Sequence, residues 1–315
     1  MQTRRIGSLD VSVVGLGCNN FGGRLDATAT SAVVHAALDA GITFFDTADI
    51  YGSTRSEEYL GRALGGRRGD VIVATKFGMA IDDARRGAKP EYVRQALEAS
   101  LTRLHTEYVD LYQLHTPDKS VPIADTLDAL NQLVAAGKVR EIGCSNFEPE
   151  QLRAADAAAT RISSARFVSV QNQFNLLHRD PEQGVLGECE RLGMAFIPFF
   201  PLASGLLTGK YRAGQPRPKN TRVTSGAYAR LLTDENLRII ESLVEYSESR
   251  GHTILELAFA WLLSHPVVAS VIAGAMSAAQ VTTNASAASW QLSDDERAEV
   301  SRLLDLSGVA SGEHR

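Results

Sequence analysis

Asp46, Lys76, His115, the pair Ser145–Asn146 and Gln171 each stand at the end of a short apolar run. A carboxylate, an ammonium and an imidazole are the side chains of proton chemistry; a hydroxyl and two amides can grip a polar ligand. Taken singly, each has a plain structural explanation. Asp46 can cap the turn that follows it, Lys76 can be a solvated strand end, and a lone histidine is more often structural than catalytic. Five such ends on one face are harder to explain by packing, because each would bury a polar group that needs a partner.

Whether they share a face depends on the elements that carry them. Short β-branched runs alternate with longer helical patterns along the whole chain. Thr3–Ser12 reads as a small hairpin. Strands are expected at Val13–Gly17, Thr43–Thr47, Val71–Lys76, Val109–His115, Val139–Ser145, Phe167–Gln173, Ala195–Phe200 and Val267–Ala273. Helices are expected at Thr30–Ala40, Ser56–Leu64, Pro90–Leu104, Ile123–Ala136, Pro149–Ala159, Glu182–Leu192, Asp234–Arg250, Leu255–Ser264, Ala278–Ala288 and Asp294–Leu306. A polar, Pro- and Gly-rich stretch, Pro201–Ala229, interrupts the rhythm. The strands are mostly continuous apolar runs, as parallel strands covered on both faces should be. Eight strand–helix repeats without a break in composition favour a closed (β/α)8 TIM barrel of the α/β class over an open sheet. The expectation is one domain over residues 1–315, with an N-terminal β-hairpin and extra C-terminal helices. In such a barrel the C-terminal strand ends share one face, where active sites lie.

Composition narrows the function. The chain has 315 residues and a formal net charge of −5. That balance leaves no footprint for nucleic acid. No apolar run reaches the ~18 residues that span a bilayer, and the opening residues lack the apolar core of a signal peptide. Cys18, Cys144 and Cys189 are odd in number and scattered, and read as reduced thiols in a cytoplasm. No metal-ligand spacing is present. Gly15–Leu16–Gly17 suggests a dinucleotide fingerprint, but Asn20 holds the third glycine's place and no acid follows at the required distance, so that reading is rejected.

The motifs GITFFDTADIYGSTRSEEYLGRAL, VIVATKFG, LTRLHTEYVDLYQLHTPD, LNQLVAAGKVREIGCSNF, VQNQFNLL, PLASGLLTGKY and VIAGAMSAAQ resemble those of the aldo-keto reductases along nearly the whole chain. The resemblance implies a catalytic tetrad of Asp46, Tyr51, Lys76 and His115. In it, Tyr51 would donate a proton to a substrate carbonyl as hydride arrives from nicotinamide C4. A free tyrosine titrates near ~10, so the expectation is that Lys76 lowers the phenol pKa while Asp46 neutralises the lysine. A drop of three units would take roughly 4 kcal/mol, the order of one close pair at low effective dielectric. His115 would orient and polarise the carbonyl.

The resemblance also implies a cofactor site. Ser145, Asn146 and Gln171 would hold the nicotinamide carboxamide, and Phe199 would stack on its ring where most relatives have tyrosine. Leu202, Ser204, Gly205 and Lys210 would lie over the pyrophosphate. At the adenosine end the pattern departs. Gly274–Asn284 carries no cation and has Thr283 where an acid often sits; Gly274, Gln280 and Asn284 remain, and Arg222 is the best cation for a 2′-phosphate. NADPH is therefore favoured, with NADH as an alternative. Phe21, Phe77 and Met79 would line a carbonyl pocket. Trp261 is expected in the core. Specificity is expected in the segment after His115, in Thr208–Ala229 and in the tail after Leu306. Those features imply a cytoplasmic enzyme acting on a small carbonyl compound or sugar. The second reading is a nicotinamide-binding regulatory subunit that senses redox state, because potassium-channel β subunits share many of these motifs. Oligomeric state is not readable.

Overall fold

The computed structural model describes residues 1–219, 221–224 and 226–306. The tail after Leu306 lies outside them, as do Asn220 and Ser225 of the long loop.

Strands β1 (Thr3–Ile6) and β2 (Leu9–Ser12) pair antiparallel as the expected hairpin. The chain then alternates: β3 (Val14–Gly17), α1 (Ala27–Asp39), β4 (Phe44–Asp46), α2 (Arg55–Leu64), β5 (Ile72–Phe77), α3 (Pro90–Leu104), β6 (Val109–Leu114) and α4 (Ile123–Ala135). It continues with β7 (Val139–Ser145), α5 (Pro149–Ile162), β8 (Ser169–Gln173), α6 (Val185–Leu192), β9 (Ala195–Phe199), α7 (Asp234–Glu248), α8 (Ile254–Leu263), β10 (Val271–Gly274), α9 (Ala278–Ser286) and α10 (Asp294–Leu306). Particular residues start several helices. Asp26 accepts from the Ala29 N–H ahead of α1, Pro90 opens α3, and Thr253 with Glu256 forms a capping box on α8.

β3 to β10 form one parallel sheet in the order β10-β3-β4-β5-β6-β7-β8-β9. Phe196 of β9 bridges in parallel to Val268, just ahead of β10, through Phe196 N–H to Val267 O (2.7 Å) and Ala269 N–H to Phe196 O (3.0 Å). The sheet is thereby closed into a (β/α)8 barrel. That closure explains why β10 begins at Val271 and not at Val267: the preceding residues turn towards β9. α6 also starts later than expected, because Asp180–Gln183 forms a separate 3₁₀ turn ahead of it.

Strand parity sorts the side chains. Phe44, Ala74, Leu111, Ala195, Ile197 and Ile272 point inward and meet Ile6, Leu9 and Val11 of the hairpin, which plugs the N-terminal end of the barrel. Their neighbours Phe45, Val73, Tyr112 and Phe196 point outward into the layer between sheet and helices. The interior is crowded: a Cβ on Gly15 would come within 2.9 Å of Phe44 and Ile272 side-chain atoms. That packing is the reason for the glycine at position 15. Two residues above the apolar inner layer, the same parity brings Asp46, Lys76 and Gln113 inward.

Candidate active site

Asp46 ends β4, Lys76 is next to last in β5, and His115 follows β6 directly. Lys76 is fully buried. Its Nζ donates to Asp46 Oδ2 (2.6 Å) and to the Thr47 carbonyl (2.8 Å). Asp46 Oδ1 accepts from Gln171 Nε2 (2.9 Å) and Gln113 Nε2 (3.3 Å). The charge pair is therefore enclosed by neutral donors, which is how a buried carboxylate keeps its partners.

Tyr51 reaches this pair from the turn after β4. The Lys76 Nζ lies 5.1 Å from its ring centroid, and the His115 ring meets it edge-on at 5.8 Å and 79°. The turn is held in unusual backbone. Gly52, Ser53 and Thr54 follow one another at φ 58°, 55° and 74°. A Cβ on Gly52 would meet the Phe21 carbonyl at 2.2 Å, so only glycine lets the loop approach so closely.

Burial raises the Tyr51 phenol above its ordinary value; Lys76 pulls it down as charge and hydrogen-bond partner but is outweighed, and Asp46 adds to the rise. The drop expected from the sequence is thus not found, because desolvation of a phenolate at this depth exceeds the attraction of one ammonium already shared with Asp46. Burial alone would lower Lys76, but Asp46 and the Tyr51 hydroxyl hold its pKa above the ordinary lysine range. His115 is pushed down to about 3 by burial and by Lys76, so its imidazole is neutral.

Beside the tetrad, Ser145 Oγ donates to the Gln171 carbonyl (2.6 Å), and Asn146 Nδ2 donates to the His115 carbonyl (2.9 Å). Asn146 itself sits at φ 60°. Phe199 ends β9 half-buried, its ring edge-on to Phe200, which meets Tyr228 in the same way. The rim then turns through Leu202–Thr208. Ser204 (φ 58°) and Gly205 (φ 100°) are both left-handed, and the Gly205 N–H folds back to the Leu202 carbonyl (2.8 Å). The buried Ser204 Oγ has no protein partner, and the Lys210 ammonium lies 3.1 Å from the place of a Gly205 Cβ. A polar, positively charged cradle closed to a bulkier side chain suits a phosphate.

Arg222 Nη2 donates to Asn20 Oδ1 (2.6 Å) and Asn19 Oδ1 (3.3 Å), while Asn20 Nδ2 donates to the Ala275 carbonyl (3.1 Å). The arginine is thus tied to the start of the 274–284 segment through Asn20. Gly274 is exposed, Gln280 caps the Met276 N–H (2.8 Å), and Asn284 is buried in α9.

The three proposed pocket residues do not come together. Phe77 is fully buried on the outer side of β5, stacked on Tyr112 at 4.7 Å, because its parity is opposite to that of Lys76. Phe21 is fully buried in the same outer core, and Met79 stands exposed past the strand. Trp261 lies in the core as expected.

The model of the aldo/keto reductase family matches residues 13–305. The chain belongs to that family. It is 31% identical over 307 residues to the aldo-keto reductase YhdN of Bacillus subtilis (strain 168), covering 94% of this chain and 91% of that one. It is 34% identical over 298 residues to a probable voltage-gated potassium channel subunit beta of Oryza sativa subsp. japonica, covering 90% of each. Among solved structures it resembles an aldo-keto reductase from Bacillus halodurans in its holo form, with TM-score 0.78, 31% identity and 96% of each chain covered. It also resembles a glycerol dehydrogenase from Gluconobacter oxydans, with TM-score 0.81, 29% identity, and 99% and 97% covered. Membership supports oxidoreductase activity and implies a nicotinamide cofactor. No helix among the described residues is long and apolar enough to cross a membrane.

Two groups in this aldo/keto reductase escaped the reading of the sequence. Gln113 shares Asp46 with Gln171, and its signal was parity: a polar residue alternating with Leu111 and His115. Arg24, exposed after the first barrel strand, lies close enough to Lys210 and Arg222 to lower the pKa of each, second in effect to their burial. It adds a third cation to that rim, and its isolated position in sequence gave no sign of it.

Proposed function

We propose that the chain is an NAD(P)H-dependent oxidoreductase that reduces an aldehyde or ketone, sugars and keto-sugars included, with Tyr51 as proton donor. The observation that supports it is one cluster at the C-terminal end of the barrel: a phenol between a carboxylate-paired ammonium and a neutral imidazole.

A bound nicotinamide cofactor would supply hydride to the substrate carbon. Ser145, Asn146 and Gln171 would hold its carboxamide and Phe199 its ring face. Leu202, Ser204, Gly205 and Lys210 would hold the pyrophosphate. Gly274, Gln280 and Asn284 would line the adenosine end, and Arg222 would meet a 2′-phosphate; on that ground NADPH is preferred over NADH. The Tyr51 hydroxyl gives its proton to the carbonyl oxygen, and the phenolate left behind faces the Lys76 ammonium, which Asp46 keeps from being buried alone. Neutral His115 donates a hydrogen bond to the same oxygen and has no labile charge with which to compete as the acid. The raised Tyr51 pKa keeps the donor protonated through neutral pH, so reduction should persist there and alcohol oxidation should climb towards alkaline pH.

The test is a cofactor titration followed by carbonyl-dependent loss of reduced nicotinamide absorbance, over aldehydes, ketones, sugars and, after the Gluconobacter neighbour, glycerol, with both cofactors. Binding without turnover across the panel would favour the regulatory reading suggested by the channel-subunit relative. No binding would refute both.

A further inference from the structure

The first turn of α2 is fastened to the residue proposed as proton donor. Thr54 stands at the N-cap of that helix in left-handed backbone (φ 74°), and its side chain makes no capping bond. The first N–H groups of a helix have no partner inside it. Here the Ser56 N–H donates to the Tyr51 carbonyl (3.2 Å) and the Arg55 N–H to the Gly52 carbonyl (3.3 Å). The backbone of Tyr51 itself thus does part of the work of a cap.

The side chain of Ser56 makes a second set of bonds. Ser56 and Thr47 are both fully buried. Ser56 Oγ donates to the Cys18 carbonyl (2.9 Å) in the loop after β3, and lies 2.8 Å from Thr47 Oγ1. A serine hydroxyl has one hydrogen, and a carbonyl can only accept it. Thr47 is therefore the donor in the second bond. The Thr47 carbonyl accepts from Lys76 Nζ (2.8 Å), and the Thr47 N–H donates to the Ala74 carbonyl of β5 (2.9 Å). The Cys18 N–H in turn donates to the Asp46 carbonyl (2.8 Å). One serine is bonded through its N–H to Tyr51 and through its hydroxyl to the residue whose carbonyl holds the lysine.

We propose that Ser56 is a positioning residue for the proton donor: it fixes the turn that carries Tyr51 against the Thr47 carbonyl that holds Lys76. The proposal rests on the oxidoreductase reading only in its effect on turnover. The turn needs such a tie, because Gly52, Ser53 and Thr54 are left-handed in succession. Backbone of that kind persists only where its surroundings over-determine it. The Phe21 carbonyl presses on Gly52 from one side, and the Ser56 hydroxyl holds the other end of the turn to Thr47 and Cys18. Without that hydroxyl the Tyr51–Ser56 backbone bond remains, but nothing in the turn links it to Thr47 through a side chain, and phenol and ammonium are free to drift apart.

Two measurements test this, one of them independent of turnover. Ser56→Ala removes the hydroxyl and keeps the N–H. Thr47→Val breaks the same bridge from its other end, keeps the shape of the side chain and leaves the carbonyl to Lys76; it decides the matter if Ser56→Ala does not fold. Amide hydrogen exchange over residues 51–56 should quicken in either variant by roughly two- to tenfold, the worth of one net hydrogen bond. The double variant Thr47→Val/Ser56→Ala should exchange no faster than Ser56→Ala, because both changes delete one bridge. In activity, Ser56→Ala should lower kcat for alcohol oxidation roughly ten- to a hundredfold, the cost of ~1 Å of misplacement, with cofactor Kd nearly unchanged. Its basic limb should rise by roughly half a unit, the attraction lost when an ammonium 5.1 Å from the ring recedes by ~1–1.5 Å. Unchanged exchange, or additive effects in the double variant, would overturn the bridge. Faster exchange with an unmoved limb would overturn the positioning role and leave Ser56 a support of the fold. If no form turns over any substrate, the oxidoreductase reading falls, and the exchange data alone decide the tie between Ser56 and the turn.

Discussion

Replacing Lys76 with methionine removes one charge from the barrel and keeps the length of the side chain. The ammonium lies 5.1 Å from the Tyr51 ring centroid. At an effective dielectric near 20, a unit charge at that distance is worth about 3 kcal/mol, or roughly 2 pH units on the phenol. Tyr51 already sits above its ordinary value with Lys76 in place, so Lys76→Met should lift the basic limb of alcohol oxidation by about that much. At a fixed pH below the limb this reads as about a hundredfold loss of kcat. The variant also leaves Asp46 with only Gln113 and Gln171 as side-chain donors. Breaking a buried pair in this way costs about 3–5 kcal/mol. Urea unfolding would report that loss, and Asp46→Asn/Lys76→Met should recover most of it without restoring the rate. The assay is kcat against pH for one alcohol at saturating cofactor. A measurable rate with an unshifted limb would refute Lys76 as the group that stabilises the phenolate.

Tyr51→Phe should lower turnover roughly 10²–10⁴-fold with cofactor affinity nearly unchanged by fluorescence titration; more than a tenth of wild-type kcat would exclude Tyr51 as the donor. His115 titrates at about 3 when folded and near ~6.5 when unfolded, so the folded chain binds fewer protons between those values and stability should fall as pH drops through them. His115→Asn should flatten that fall, at most about 3.4 kcal/mol, in unfolding curves between pH 7 and pH 4; an unchanged slope would mean that the imidazole is not buried as described. Arg222→Ala should raise the NADPH Kd roughly ten- to 150-fold with little change for NADH, as expected for a charge-assisted phosphate contact worth about 1.5–3 kcal/mol. Equal weakening of both cofactors would instead make Arg222, already bound to Asn20, a support of the rim.

The barrel was legible because its strands are continuous apolar runs and its helices carry caps; α3, β7 and α10 fall where the pattern places them. Errors cluster where tertiary contacts decide. The bridge from Phe196 to Val268 shortens β10, and no local pattern in Val267–Ser270 announces it. Asp46, Lys76 and His115 stood out as polar ends of apolar runs. Phe77 was misjudged because adjacency to Lys76 outweighed parity, and in a strand the adjacent residue is the one that cannot share a face. Asp49 and Glu57 are buried, although a turn and a helix start ordinarily leave an acid solvated and nothing local in the sequence marks either. Their burial comes from α3 packing over α2, a contact between segments far apart in sequence. The direction of the Tyr51 shift was missed for a similar reason: the lysine is visible in the sequence and the depth of the phenol is not.

The hairpin at the start of the chain closes one end of the barrel with apolar side chains. Ile6, Leu9 and Val11 seal the lower end with side chains that offer no hydrogen bond, so water has no polar route upward from that side. The buried polar side chains Asp46, Lys76 and Gln113 lie above that layer, towards the C-terminal end. Under the proposed function, a proton given up by Tyr51 would be replaced from the C-terminal side, the side that would also admit substrate. A hairpin with no catalytic side chain would thereby confine proton and substrate to the same end of the barrel.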